Sequence, residues 1–227
     1  MIVIVVGMHR SGTSMTAHML QQVGIDMGED LLSGETHVQA HHEDRDFLEL
    51  HKHALRSAGG IWYRPPNWPA IWRVMNDKGI AQDLYNLVCS RVESHMGSCW
   101  GWKDPRTSLF LRAYAQIFDV QNDYFDLWNK PDVRVVWCVR KEDDVVASLM
   151  QRNGKSAESW RRLCVRYRRE IQRSLVGVDW PVYTLHFERV RTGKADSLRE
   201  IKRLLWFLGM DGSDNSLARQ AHAVVKY

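Results

Sequence analysis

The sequence has few cysteines, no long apolar run and no strong excess of charge. Cys89, Cys99, Cys138 and Cys164 are scattered and form no CxxC pair, so we expect four buried free thiols in a reducing compartment rather than disulfides. No segment approaches the roughly 18 apolar residues that a membrane span needs. No basic segment followed by an apolar stretch precedes the first predicted strand. We therefore expect a cytoplasmic protein without a membrane span.

The composition is that of a globular protein with an ordinary core. Hydrophobic residues make up 44% and charged residues 26% of the 227 positions, and the net charge is +4. This charge is too small and too dispersed to predict a nucleic-acid partner, although a local cleft can still favour an anionic ligand. Internal repeats and low-complexity segments are also missing.

The most informative stretch is an apolar run that breaks into a turn bracketed by Gly7 and Gly12 and continues as a helix. Glycines allow a tight turn, the freed amides can point at an anion, and the helix dipole favours negative charge at that end. The spacing matches a nucleotide-triphosphate loop, but Thr13 and Ser14 stand where that motif requires Lys and then Ser or Thr. The cation is instead Arg10, which argues against ordinary ATP or GTP chemistry.

Strands and helices alternate along the rest of the chain. We predict strands at 99–102, 133–139 and 181–185, in addition to the first one, and helices at 13–24, 44–58, 79–96, 107–117, 145–150, 156–175 and 197–208. Segments 28–42 and 122–131 are expected to be polar loops, and the tail 211–227 gives only a weak signal. This order predicts an α/β fold, a single-domain P-loop-like three-layer structure with a central parallel sheet flanked by helices, which binds its ligand at the carboxyl ends of the strands.

A second anion site is predicted where the strand 133–139 ends. Arg140 follows this strand and Ser148 comes eight residues later. A short loop followed by one helical turn can bring a guanidinium and a hydroxyl to the same anion. The alternative is that Arg140 forms a surface ion pair with Asp143 or Asp144.

These two motifs resemble those of the sulfotransferases that use 3′-phosphoadenosine 5′-phosphosulfate (PAPS). The loop from Arg10 to Ser14 resembles their 5′-phosphosulfate loop, and Arg140 with Ser148 resembles their 3′-phosphate site. The resemblance implies transfer of a sulfuryl group from PAPS to a hydroxyl or amine, with 3′-phosphoadenosine 5′-phosphate as the product and no metal requirement. The implied cofactor-binding residues are His9, Arg10, Ser11, Gly12, Thr13, Ser14, Arg140 and Ser148.

Three further segments resemble this family over residues 1–209. They are Gly101 to Arg106, which reads GWKDPR, His41 to Asp44, and the helix end at 206–209. The resemblance implies that Lys103 assists transfer and that Arg10 stabilises the leaving phosphate. Glu43 is the candidate base, with His41 and His42 as rivals. His42 replaces the usual apolar aromatic residue, and the Arg-Lys-Gly segment of aryl sulfotransferases is missing.

The domain prediction is one sulfotransferase-like domain over 1–227, with an acceptor-side insertion at about 28–78 and a variable tail at about 210–227. The acceptor could be a small molecule, a lipid, a carbohydrate or a peptide, and no oligomeric state is indicated. Residues 61–72 hold three tryptophans and three prolines, and we expect an irregular segment, either an acceptor-side lid or a loop packed on the core.

Other functions remain open at this point. One is a kinase with an altered phosphate loop, and another is a module that binds a nucleotide without catalysis. A metal site is not expected, because the histidines show no HExxH spacing and no neighbouring cysteine. They are His37, His41, His42, His51 and His53.

Overall fold

A four-stranded parallel sheet forms the centre of the computed structural model, which describes residues 1–28, 42–119 and 131–225. The strand order is β2-β1-β3-β4, and every neighbouring pair is parallel. The strands are β1 (Ile2–Gly7), β2 (Trp100–Lys103), β3 (Val133–Val139) and β4 (Val182–His186). All six residues of β1 are buried, as expected for a central strand covered on both faces. The predicted pairing of the first strand with 133–139 is confirmed.

Ten α-helices flank this sheet within the described residues. They are α1 (Thr13–Gln22), α2 (Arg45–Ser57), α3 (Trp68–Asp77), α4 (Ile80–Ser94), α5 (Leu111–Asp119), α6 (Glu142–Asn153), α7 (Ala157–Leu175), α8 (Phe187–Arg191), α9 (Lys194–Phe207) and α10 (Asn215–His222), and a 3-10 turn spans Pro105–Leu109. Alternate residues of β1 point to opposite faces of the sheet. Ile2 and Ile4 belong to a hydrophobic cluster with residues of α2 to α7, whereas Val3 and Val5 belong to a second cluster with residues of α1, α8, α9 and α10. The predicted three-layer α/β fold is confirmed.

Helix caps explain several of the boundaries. Asp44 accepts hydrogen bonds from the amides of Asp46 and Phe47 at the start of α2, and Ser156 accepts one from the amide of Ser159 at the start of α7. Both residue types are favoured at this position because their side chains satisfy amides that the helix leaves open. The helices predicted from 44 and 156 therefore begin where expected.

The prediction for residues 61–72 is wrong in its second half. Asn67 caps α3, which begins at Trp68 and carries Pro69 in its first turn. Proline is tolerated there because that amide has no partner within the helix. The segment is therefore an irregular turn at 61–67 followed by a helix. The tail also holds a helix, α10, which Asp214 caps.

The cysteine prediction needs one correction. Cys89, Cys138 and Cys164 are buried free thiols, but Cys99 is exposed because it precedes β2 at the sheet margin. In the portion of the chain that the structure describes, no helix combines the length and the apolar character that crossing a membrane requires. The polar loops predicted at 28–42 and 122–131 lie almost entirely outside the described residues.

Candidate active site

The loop after β1 folds as the glycine pattern predicts. Gly12 has a φ of 99°, and a Cβ added there would lie 2.5 Å from Cδ2 of Phe187. A Cβ on Gly7 would lie 2.6 Å from the carbonyl oxygen of Cys138 on the neighbouring strand. Such close approaches admit only glycine. The hydroxyl of Ser11 donates to the Met8 carbonyl at 2.6 Å and closes the turn, so the loop leads directly into the N-terminus of α1.

A buried serine from the 3-10 turn anchors this loop. The amide of Gly7 donates to Oγ of Ser108 at 3.1 Å, and the same hydroxyl lies 3.2 Å from the Gly7 carbonyl oxygen. Ser108 is fully buried. The segment that begins GWKDPR therefore sets the position of the loop from Gly7 to Gly12, which we call the phosphate loop because of its predicted ligand. Gly7 and Ser108 are 101 residues apart in sequence.

The structure brings Arg10, Arg140 and Ser148 together. Nε of Arg10 donates to Oγ of Ser148 at 2.8 Å, and Nη1 of Arg140 donates to the Arg10 carbonyl at 3.2 Å. Burial lowers the pKa of Arg10, and the positive charges of Arg152 and Arg140 lower it further. Like charges held this close repel one another, so the arrangement favours an anion between them.

Two residues of α8, Phe187 and Glu188, contact Arg140 and the residue that follows it. The guanidinium carbon of Arg140 lies 4.5 Å from the centre of the Phe187 ring, a distance typical of a cation–π contact. The amide of the next residue, Lys141, donates to Oε1 of Glu188 at 2.7 Å. Nε of Arg140 is buried and has no hydrogen-bond partner among the residues that the structure describes. An unsatisfied buried donor of this kind is costly and can be relieved by a ligand.

A second group of charged side chains gathers at the end of β2. The β1–β2 register places Lys103 beside Val5. Nζ of Lys103 lies 3.1 Å from Oε1 of Glu43, and Nη1 of Arg106 lies 3.5 Å from Oε2 of the same carboxylate. Arg106 also contacts Oδ1 of Asp104 at 2.8 Å. Glu43 and Lys103, which the sequence proposes as catalytic residues, are therefore in direct contact.

Burial and the neighbouring charges together set the pKa values of Lys103 and Asp104. Burial lowers the pKa of Lys103, and Glu43 offsets part of that effect. Burial alone would raise the pKa of Asp104, but the Arg106 guanidinium and His51 hold it well below its usual range. Asp104 is thus an acceptor for its neighbours at any physiological pH.

His9 presents an uncharged imidazole within the loop. Burial lowers the pKa of His9 well below its usual value, and the nearby Arg106 adds to the effect. Its ring lies 4.1 Å from the ring of Trp62 and 6.0 Å from that of Tyr167. Its Nε2 is buried, and no residue in the described part of the chain forms a hydrogen bond with it.

The irregular turn at 61–67 covers this side of the loop. The ring of Trp62 lies 4.1 Å from that of His9 and 5.9 Å from that of Trp160, with which it is stacked. The Trp62 carbonyl accepts a hydrogen bond from the Tyr167 hydroxyl at 3.0 Å, and Arg166 donates to the Pro66 carbonyl. Ring contacts and backbone hydrogen bonds therefore hold this turn against the loop and α7.

The remaining predicted residues have different surroundings. Thr13 and Ser14 lie in the first turn of α1. His42 lies 3.0 Å from Oε1 of Gln21 and stacks on His18 at 4.6 Å, about two turns from the phosphate loop along α1. His41 lies outside the described residues, as does His37. No group of three metal-ligating side chains is present in segments 1–28, 42–119 and 131–225.

A comparison with known protein families decides the family. A model described as the sulfotransferase family matches residues 3–214. The chain belongs to the sulfotransferase family. The family predicted from the loop at 10–14 and from Arg140 with Ser148 is thereby confirmed. A search of curated proteins gives no match for this sulfotransferase.

Several residues of this candidate site were not predicted from the sequence. Arg106, Ser108 and Phe187 contact Glu43, the phosphate loop and Arg140, respectively. Arg106 is the last residue of GWKDPR, so this motif carried a signal for it, and Ser108 follows two positions later. No local pattern predicted the role of Phe187, because its contacts with Gly12 and Arg140 arise only from the crossover that places α8 beside the loop.

Proposed function

We propose that this sulfotransferase moves a sulfuryl group from PAPS to a hydroxyl or amine of its acceptor. The observation that carries the proposal is the convergence of Arg10, Arg140 and Ser148 beside the N-terminus of α1. It joins two anion-binding features, one at the end of β1 and one at the end of β3. A donor with a phosphate at each end of its ribose fits two adjacent cationic sites better than a donor with phosphates at one end.

The residues of the two sites have separate roles in this proposal. The loop residues, with Arg10 as their cation, hold the 5′-phosphosulfate at the start of α1, where backbone amides and the helix dipole favour an anion. They are His9, Arg10, Ser11, Gly12, Thr13 and Ser14. Arg140 and Ser148 hold the 3′-phosphate. The buried Nε of Arg140, which has no hydrogen-bond partner within segments 1–28, 42–119 and 131–225, gains an acceptor when this site is filled.

PAPS supplies a sulfuryl group whose bond to the 5′-phosphate oxygen breaks as the acceptor oxygen or nitrogen bonds to sulfur. Negative charge then develops on the leaving phosphate. Arg10, the loop amides and Lys103 stabilise that charge, because fixed donors in a site shielded from water interact strongly with it. The electron pair of the broken bond stays with the phosphate. Because the transferred SO3 is close to neutral, unlike a phosphoryl group, a metal ion is not required by analogy with phosphoryl transfer.

Glu43 takes the proton that the acceptor loses. It is buried, and its carboxylate contacts Lys103 at 3.1 Å, so the base and the cation nearest the reaction lie side by side. His42 is the weaker alternative because it contacts Gln21 and His18 on α1. The acceptor remains a hydroxyl or amine of a small molecule, lipid, carbohydrate or peptide.

The donor site can be tested by calorimetry with two nucleotides. One is 3′-phosphoadenosine 5′-phosphate, written 3′,5′-ADP from here on, and the other is 5′-AMP, which lacks the 3′-phosphate. Arg140→Ala should weaken binding of 3′,5′-ADP by about 10- to 100-fold, because a hydrogen bond to a charged group contributes roughly 1.5–3 kcal/mol. Binding of 5′-AMP should change little. Arg161→Ala is a suitable control, since Arg161 is an exposed arginine that pairs with Asp143. Equal losses for the two nucleotides would refute the 3′-phosphate assignment.

The reaction is tested with [35S]PAPS and a panel of acceptors. The wild type should label an acceptor, and Glu43→Gln should slow transfer while it leaves the affinity for 3′,5′-ADP within about 3-fold, since a general base contributes 10²–10⁴-fold to the rate and not to donor binding. Tight binding of magnesium ATP with weak binding of 3′,5′-ADP would instead indicate a kinase. Binding of PAPS without label in any acceptor would indicate a binding module.

A further inference from the structure

A row of buried polar contacts extends from α5 to the Glu43 carboxylate. It begins at the hydroxyl of Tyr114, which lies 2.8 Å from Nε2 of His51 on α2. Nδ1 of His51 lies 2.7 Å from Oδ2 of Asp104. His51, Asp104 and Tyr114 are each at most 1% exposed. The loop motifs that identify the family do not include His51.

One arrangement of protons satisfies both nitrogens of His51. The Asp104 carboxylate is an acceptor, so Nδ1 carries a hydrogen and donates to it. Nε2 can then accept from the Tyr114 hydroxyl, which keeps its proton because burial raises the pKa of Tyr114 well above its usual value. The His51 ring stacks on Phe110 at 4.5 Å, which fixes the plane of the imidazole and the direction of both hydrogen bonds.

Asp104, whose position is fixed by His51, in turn fixes the position of the Arg106 side chain. Besides His51, it accepts from the Arg106 amide at 3.0 Å and from Nη1 of Arg106 at 2.8 Å. The same Nη1 reaches Glu43 at the longer distance of 3.5 Å. The contact with Asp104 is therefore the stronger one and decides where the guanidinium lies, and the contact with Glu43 follows from it.

Stability alone does not require this row of contacts. Buried hydrogen-bonded and charged groups lose their hydration, and well-packed apolar side chains of similar volume often stabilise a fold as much or more. A fully satisfied polar network does, however, fix the geometry of its members. Here the member at the end of the row is the carboxylate that we propose as the base.

We infer that His51 is a positioning residue for Glu43, acting through Asp104 and Arg106. The inference rests on the proposed function, because Glu43 needs a fixed position only if it takes a proton from the acceptor. His51 itself does not contact the reacting groups. It holds the Asp104 carboxylate so that Arg106 meets one oxygen of Glu43 while Lys103 meets the other.

Two substitutions at His51 separate positioning from folding. In His51→Asn, the side-chain amide lies near the place of Nδ1 and can still donate to Asp104. In His51→Gln, the amide lies near the place of Nε2, so the contact with Tyr114 can remain but the one with Asp104 is lost. Both variants bury one polar amide in the same pocket. His53→Gln, an exposed histidine on the same helix, controls for the substitution itself.

The first measurement needs neither donor nor acceptor. In the unliganded protein, 15N-labelled Arg106 should give separate, slowly exchanging guanidinium signals, because Asp104 and Glu43 hold Nη1. We expect His51→Asn and His53→Gln to keep these signals and His51→Gln to collapse them. If His51→Gln leaves the Arg106 signals unchanged, the inference is wrong, whatever the protein binds.

The second measurement is single-turnover release of [35S]sulfate from [35S]PAPS to water. His51→Gln should slow release by about 10- to 100-fold, since a misplacement of about 1 Å in a catalytic group can cost 10²-fold. His51→Asn should recover most of that rate, and the affinity for 3′,5′-ADP should stay the same in all variants. Equal rates in His51→Asn and His51→Gln would overturn the inference. A wild type that binds no 3′,5′-ADP would instead refute the proposed function and leave the Arg106 signals as the test of positioning.

Discussion

Replacing Ser108 with alanine tests how firmly the 3-10 turn holds the phosphate loop. Ser108 is fully buried, and its hydroxyl lies 3.1 Å from the Gly7 amide and 3.2 Å from the Gly7 carbonyl oxygen. Ser108→Ala removes the acceptor of the Gly7 amide. A buried donor left without a partner costs about 1–3 kcal/mol, so we expect a loss of about 2 kcal/mol in the free energy of unfolding.

In a protein of this size, about 1 kcal/mol corresponds to a shift of roughly 2–4 °C in Tm. Ser108→Ala should therefore lower Tm by about 4–8 °C in a calorimetric or fluorescence melt. The matched control is Ser94→Ala, because Ser94 donates to the Arg91 carbonyl on the surface and should change stability by less than about 0.5 kcal/mol. Equal melting temperatures for the two variants would show that Ser108 does not anchor the loop. If Ser108 does anchor the loop, the affinity for 3′,5′-ADP should also fall in Ser108→Ala, since the loop amides lose their fixed position.

Two further predictions concern the loop and the strand beside it. Gly12→Ala should lower Tm and weaken 3′,5′-ADP binding, because the φ of Gly12 is 99° and an added Cβ would lie 2.5 Å from Phe187. The control is Gly24→Ala, at a φ of 87° and with open space around it among the described residues. This variant should lower Tm less and leave binding unchanged. If Gly12→Ala behaves like Gly24→Ala in both assays, the close approach to Phe187 has no importance. Burial raises the pKa of Cys138 to about 12 from an ordinary value of 9, so between these pH values the folded state holds a proton that the unfolded state has lost. The free energy of unfolding should thus fall as pH rises through this window, by up to about 1.4 kcal/mol per pH unit from this thiol. Urea titrations under reducing conditions should show a shallower fall in Cys138→Ala and an unchanged one in Cys99→Ala, whose side chain is exposed; equal slopes in all three proteins would contradict the assignment.

Local sequence determined the elements of the fold and the family. Alternation of strands with helices predicted the parallel sheet, because crossovers are needed to join parallel strands. Capping residues such as Asp44 and Ser156 marked helix starts, since their effect depends only on the next three amides. The loop at 7–14 and the pair Arg140 and Ser148 identified the family, because a strand, a turn and the start of a helix fix the positions of their side chains over a short distance.

Sequence patterns were less successful at residues 61–72. A segment rich in tryptophan and proline looked irregular throughout, yet α3 starts at Trp68 because Asn67 caps it and Pro69 falls where proline is tolerated. The sequence does not decide whether Trp62 belongs to a lid or to a loop packed on the core. In the structure, Trp62 contacts the rings of His9 and Trp160, which come from two other elements.

What the sequence determined by itself was therefore the sheet, most helix starts, the glycine-bracketed turn after the first strand and the family. Only the tertiary structure decided which side chains meet at the ends of the strands. Lys103 and Glu43 are 60 residues apart, Arg10 and Ser148 are 138 apart, and Gly7 and Ser108 are 101 apart. The physical reason is that parallel strands bring their carboxyl ends to one edge regardless of their separation in the chain, so contacts across that edge depend on strand order and register, which no local pattern encodes.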